Sequence, residues 1–220
     1  MSKELECLCY EPPSTHTATV IWMHGLGASG DDFVPVMQAL SLPKSHGIRF
    51  IFPHAPEQAV SLNGGMVMPA WFDIFGLQPG APVDTEGMRR TELAIRGLME
   101  SEIQQGVPVE RIVLAGFSQG AVMALHIALG LDKIPAGVMA LSGFLAPPTT
   151  DLSAKGLPIF MAHGVEDAVI SLDYGHHSRD HLNQLGAVVE WHEYTMGHAV
   201  CDQEIIDIST WLKRILPELA

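Results

Sequence analysis

Apolar residues in this chain come in short unbroken runs, each about a strand long and each closed by glycine, proline or a polar turn. Residues 18–23 read ATVIWM, and further runs occupy 48–52, 112–115, 136–141, 157–162 and 188–194. Several are apolar at consecutive positions, which fits strands covered on both faces. Between them the spacing turns helical. Over residues 86–105, Met88, Ile95, Leu98, Met99 and Ile103 recur on one face, and Gly106 and Pro108 stop the run. Shorter helices are expected from Ser29 to about residue 40, over 172–185 with Gly186 as the cap, and over 203–216. Residues 5–10 alternate as an edge strand does, and Pro12-Pro13-Ser14 turns the chain. Strands alternating with helices predict a mostly parallel central sheet with helices on both faces. No repeat, linker or charge run divides the chain, so residues 1–220 are read as one domain.

One stretch breaks this rhythm. Residues 57–83 hold Asn63-Gly64-Gly65, then Met66, Met68, Trp71, Phe72 and Phe75 among prolines and glycines. Long irregular stretches inside a domain usually carry function. This one is too rich in methionine and aromatics for disorder, so it is expected to cover a site. A small satellite core is the competing reading.

The chemistry centres on residues 112–129. An apolar strand runs into Gly116-Phe117-Ser118-Gln119-Gly120 and continues at once as a helix former. Two glycines let strand and helix approach closely, and the residue at the tip points away from the sheet. Ser118 is therefore expected to be a nucleophile at a sharp elbow. A serine hydroxyl needs a base and oxyanion donors. In a parallel sheet these gather just beyond the carboxyl ends of the strands. That rule cuts the histidines to His24, His54, His163 and His198, because His126, His176, His177 and His181 fall within helices. Asp167 follows the strand at 157–162, and His198 follows the last strand. The order Ser118, Asp167, His198 matches that of the elbow hydrolases. His198 is then the base, Asp167 its orienting acid, and the backbone N–H groups of Leu26 and Gln119 the oxyanion donors. His24 is expected to brace the Gly25-Leu26-Gly27 turn through its ring nitrogens.

Five motifs in this order carry a resemblance. They are His24-Gly25-Leu26-Gly27, Gly116-Phe117-Ser118-Gln119-Gly120, Leu141-Ser142-Gly143, His163-Gly164 with Asp167, and Met196-Gly197-His198. Together they resemble the phospholipase/carboxylesterase family of small α/β-hydrolases, over about residues 20–216. Asn63-Gly64-Gly65 and Ala70-Trp71-Phe72-Asp73 resemble its cover-loop pattern. The resemblance implies an α/β-hydrolase fold without a large cap domain and cofactor-free hydrolysis of carboxylic esters and thioesters. It also implies a homodimer as a frequent partner arrangement. One departure is visible, since Asp167-Ala168-Val169-Ile170 lacks the proline that often follows the acid. Leu26, Met66, Met68, Trp71, Val169 and Ile170 are expected as a group to line an acyl groove. The expected activity is that of a serine carboxylesterase acting on short to medium acyl esters, and thioesters, through an acyl-enzyme. Acyl-protein thioesterase and lysophospholipase are alternatives within the class. A non-catalytic binding module on the same scaffold is the alternative outside it.

Composition narrows the partners. Twelve Lys and Arg stand against 25 Asp and Glu, a formal net charge of -13, which disfavours nucleic acid and anionic membranes. The partner expected is a small-molecule acyl ester or thioester. Cys7, Cys9 and Cys201 form no even framework, which fits a reducing, cytoplasmic setting. No apolar run approaches about twenty residues, so no integral membrane segment is expected. Gly25, Gly27 and Gly30 mimic a dinucleotide fingerprint, but no acid closes the next strand at Phe52-Pro53-His54. His177 and His181 are four apart on a helix without a catalytic glutamate pattern, so no metal is expected. Cys201 is read as an inert thiol.

Overall fold

The structure, a computed structural model, describes residues 5–76, 81–147 and 153–219. Seven strands form the main sheet. They are β1 (Cys7–Tyr10), β2 (Ala18–Met23), β3 (Ile48–Pro53), β6 (Ile112–Phe117), β7 (Gly137–Leu141), β8 (Pro158–Gly164) and β9 (Val188–Tyr194). A hairpin of β4 (Glu57–Val60) and β5 (Met66–Pro69) stands apart from them. The order across the sheet is β1-β3-β2-β6-β7-β8-β9. Only β1 runs antiparallel, pairing Cys7 with Pro53 and Tyr10 with Phe50 at the sheet edge. The helices are α1 (Val34–Ala39), α2 (Thr85–Gln104), α3 (Gln119–Leu129), α4 (Leu172–Gln184) and α5 (Asp202–Ile215). Among the described residues no helix is long and apolar enough to cross a membrane.

Successive strand residues point to opposite faces, so the two faces have separate cores. On one face Ile21, Met23, Ile112 and Leu114 pack with Met88 and Ile95 of α2 and Val122 and Leu125 of α3. On the other, Val20, Trp22, Val113 and Ala115 pack with Phe33 and with Ile208, Trp211 and Leu212 of α5. This is why β2 is buried at all six positions. Each fully buried side chain of this size contributes about 1.5–3 kcal/mol before entropy is counted.

Three expectations need correction. The helix expected over 29–40 is a 3-10 turn, Gly30–Phe33, followed by α1, with Pro35 in the first α-helical turn. A proline there loses no helical bond. In α2, Ile103 is exposed, and the buried residue beside it is Glu102. The Glu102 carboxylate accepts from Arg49 Nη1 at 2.8 Å and Thr19 Oγ1 at 2.6 Å. These partners come from β2 and β3, so helical periodicity alone does not reveal them. Residues 57–69 form regular structure rather than an irregular stretch. The hairpin pairs Val60 with Met66 and turns through Gly64 and Gly65, at φ 67° and 82°, where only glycine is unstrained. Residues 77–80 of the expected cover lie outside the described residues.

Candidate active site

Strand β6 ends at Phe117 and α3 begins at Gln119, so Ser118 alone makes the turn. Its backbone sits at φ 54° and ψ -118°, a conformation that costs a non-glycine residue about 1–3 kcal/mol. Surrounding structure holds it there. Ser118 N–H donates to Leu141 O at 2.8 Å, and Ser118 O accepts from Ala121 N–H at 3.0 Å. The flanking glycines are required sterically. A Cβ on Gly116 would lie 2.1 Å from the Gly120 carbonyl carbon, and one on Gly120 would lie 2.2 Å from Met23 O.

Asp167 and His198 arrive from the loops after β8 and β9. His198 Nδ1–H donates to Asp167 Oδ2 at 2.7 Å. Asp167 Oδ1 accepts the Val169 and Ile170 N–H groups at 2.8 and 2.9 Å. The carboxylate is fully buried, yet three donors satisfy it, which is the condition for keeping a charge inside a protein. The two backbone bonds also fix the loop that lacks the proline. His198 and Ser118 line one cavity, and the Phe117 ring packs 4.7 Å from the imidazole. Among the described residues the Ser118 hydroxyl makes no hydrogen bond to His198, a link that free enzymes often close only with substrate bound.

The other strand-end histidines are occupied elsewhere. His24 Nε2 accepts the Ala55 N–H at 3.0 Å, so Nδ1 carries the proton and donates to Gly25 O at 2.7 Å. Burial holds its pKa below the ordinary histidine value, so the ring stays neutral and braces the turn. His163 is buried and its Nε2 donates to Ile170 O at 2.8 Å, gripping the acid loop. His54 Nδ1 accepts the Gly30 N–H at 3.3 Å.

Leu26 and Gln119 both line the cavity, and neither backbone N–H has an intramolecular acceptor among the described residues. They are free to meet a developing oxyanion. The Gln119 side chain is tied down at both ends. Its Oε1 accepts the Trp71 N–H at 2.8 Å and its Nε2 donates to Phe72 O at 2.7 Å. Trp71 Nε1 in turn donates to His24 O at 2.8 Å. One bonded network thus joins the end of β2, the elbow and the cover segment.

The cavity holds about 690 Å³. Val169 and Ile170 line it, as expected, together with Leu26. Met66, Met68 and Trp71 do not. Met66 projects outward from β5 with 64% of its surface exposed, and Met68 Sδ packs over Gly27. Trp71 is core, and its neighbour Phe72 forms the wall instead. Hydropathy alone does not separate two adjacent aromatics. Phe144, Leu145 and Ala146 line the cavity too; no motif marks them, although they follow the carboxyl end of β7, where the topological rule gathers such residues. His176 of the helical histidines pairs with Glu193 at 2.7 Å. Cys201 is the residue before α5 and stands outside the cavity wall.

Comparison with known proteins identifies the family. A match to the family described as Phospholipase/Carboxylesterase spans residues 7–216. An acyl-protein thioesterase 1 of Yarrowia lipolytica is 39% identical, over 93% of this chain and 95% of its own length. One from Neurospora crassa is 37% identical, over 93% and 89%. The crystal structure of Zea mays acyl-protein thioesterase 2 superposes with a TM-score of 0.82 at 30% identity, covering 96% of this chain and 99% of that one. Arabidopsis thaliana SOBER1 gives a TM-score of 0.84 at 28% identity, over 91% and 99%. With the family match over residues 7–216 and relatives aligned over nearly their whole length, this chain belongs to the phospholipase/carboxylesterase family of α/β-hydrolases.

Proposed function

We propose that this chain is a serine hydrolase that cleaves acyl thioesters, and the corresponding oxyesters, of short to medium acyl chains. The observation that carries the reading is the bonded Asp167–His198 pair sharing one apolar cavity with the Ser118 elbow. His198 Nε2 takes the proton as Ser118 Oγ attacks the acyl carbonyl. Asp167 fixes the tautomer and stabilises the imidazolium. The oxyanion of the tetrahedral intermediate is held by Leu26 and Gln119 N–H groups; each such donor is worth about 2.7–4 kcal/mol. Collapse expels the thiolate or alkoxide, which takes the proton from His198. Water, activated by His198, then attacks the acyl-enzyme, releases the carboxylic acid and restores Ser118.

The names of the relatives favour an acylated protein as substrate. The apolar wall of Phe72, Ile74, Val122 and Phe144 suits an alkyl chain. Every reacting group comes from one copy of the chain, so the chemistry does not require a second. Three cysteines, an odd number with no C-x-x-C spacing, suit a cytoplasmic setting.

The test is labelling with a fluorophosphonate ester, read by intact mass and peptide mapping, beside hydrolysis of p-nitrophenyl acetate, octanoate and palmitate. One adduct on Ser118, and its absence from a folded Ser118→Ala variant with no turnover, is expected. Turnover near the wild-type rate in that variant would overturn the mechanism.

A further inference from the structure

The charges of this chain are sorted by the sheet. In a parallel sheet the loops after the strands lie on the site side. Those loops, over residues 24–33, 54–76, 81–84, 142–147, 165–171 and 195–201, contain no lysine or arginine. They do contain Asp31, Asp32, Glu57, Asp73 and Glu166. Cations collect at the other end. Lys44, Arg49, Arg111, Lys133 and Lys155 stand just before strands or at their first residues. Arg89 and Arg90 lie early in α2, and both share Glu86, at 3.1 and 4.0 Å.

This polarity bears on one side of the cavity in particular. The Phe117 ring lies between His198, at 4.7 Å, and Phe33, at 5.6 Å. Asp32 and Phe33 both line the cavity. The Asp32–Phe33 side is therefore the His198 side, and the group that takes its proton from His198 departs there. Among the described residues the Asp32 carboxylate accepts only the Ser29 N–H, at 2.7 Å, and Asp31 only the Ser29 hydroxyl, at 3.2 Å. Neither is neutralised by a cation among the described residues. A carboxylate beside an aromatic ring is a setting that favours ammonium and guanidinium groups.

We infer that the site selects thioesters whose leaving thiol is a cysteine flanked by lysine or arginine, and rejects those flanked by acids. This rests on the hydrolase reading above. A peptide is the favoured leaving group because its flanking side chains reach the acidic loops around the cavity, whereas a small alcohol does not extend beyond the cavity itself. A single-sign rim around a low-dielectric cleft focuses its field and changes encounter rates by about 10–1000-fold.

The experiment uses the full chain and three S-octanoyl-cysteine peptides, identical except for flanking lysines, alanines or glutamates. Rates of thiol release are compared at about 20 and 300 mM NaCl, where screening falls from long to short range. At low salt kcat/KM is expected to be at least about tenfold higher for the lysine than for the glutamate peptide. The difference should lie mainly in KM and shrink at high salt. In Asp32→Asn, and separately in Asp31→Asn, the lysine-to-glutamate ratio should fall. A wild-type ratio below tenfold at low salt, or one that neither salt nor either variant lowers, overturns the inference. p-Nitrophenyl octanoate separates the two failures. If the wild type does not hydrolyse it, the hydrolase reading fails; if it does and the peptides are not distinguished, only this inference fails.

Discussion

Glu204 sits where a carboxylate is hard to keep ionised. It is the third residue of α5, and none of its surface is exposed. Among the described residues neither carboxylate oxygen has a hydrogen-bond partner. Burial pushes its pKa up to about 8, and the like charge of Asp207 adds to this; the Cys201 backbone N–H pulls the other way from beyond hydrogen-bond range. Tyr194 of β9 interacts with the same group and donates to Asp207 Oδ2 at 2.8 Å, and a phenol supplies no positive charge. The folded chain therefore holds a proton that the unfolded chain, with its ordinary value of 4.5, releases. Stability from this group is fully present below pH 4.5, declines as pH rises, and is lost above about pH 8. At 1.36 kcal/mol per pH unit the whole rise corresponds to ~5 kcal/mol, an upper bound because a folded carboxylate relaxes toward water. Glu204→Gln keeps the shape and removes the titration. Urea unfolding followed by tryptophan fluorescence from pH 5 to 9 reads the difference. The variant should gain on the wild type steadily with pH, ending several kcal/mol ahead of its relative position at pH 5. Parallel curves across that range would refute the argument. The effect of His24 cancels in this comparison because both proteins carry it.

Three further substitutions test the packing. Trp71→Phe removes the indole bond to His24 O and leaves a buried acceptor unmet, at about 1–3 kcal/mol; it should lower kcat more than it raises KM, and unchanged kinetics would mean the network does not hold the elbow. Ile95→Ala should cost about 2–5 kcal/mol in denaturant unfolding, whereas Ile103→Ala should stay within about 0.5 kcal/mol, reversing the equal standing that periodicity gives them.

The parts legible in the sequence are those fixed by local sterics or by strand direction. Gly116 and Gly120 must be glycine because backbone from the next element fills the place of a Cβ, so the elbow is written in five residues. Asp167 and His198 follow from where a parallel sheet exposes its loops. Illegible were the features decided by distant partners. Glu102 reads as a surface residue until Arg49 and Thr19 are brought beneath it. Trp71 turns into the core and Phe72 to the cavity, and the partner that holds their backbone is Gln119, 47 positions beyond Phe72. Met66 and Met68 are apolar enough for a groove, but their hairpin turns them away from it.

Gln119 joins two jobs that many binding sites keep apart. In the proposed mechanism its main chain offers a donor to the reacting carbonyl, while its side chain holds the Trp71–Phe72 backbone and so fixes Phe72 in the cavity wall. A tail that presses on Phe72 loads the same residue that must hold still during bond breaking. Fit of the chain and speed of the chemistry are then not independent variables. An acyl group too bulky for the wall would still enter, bind and acylate slowly, and the mismatch would register in turnover before it registered in affinity.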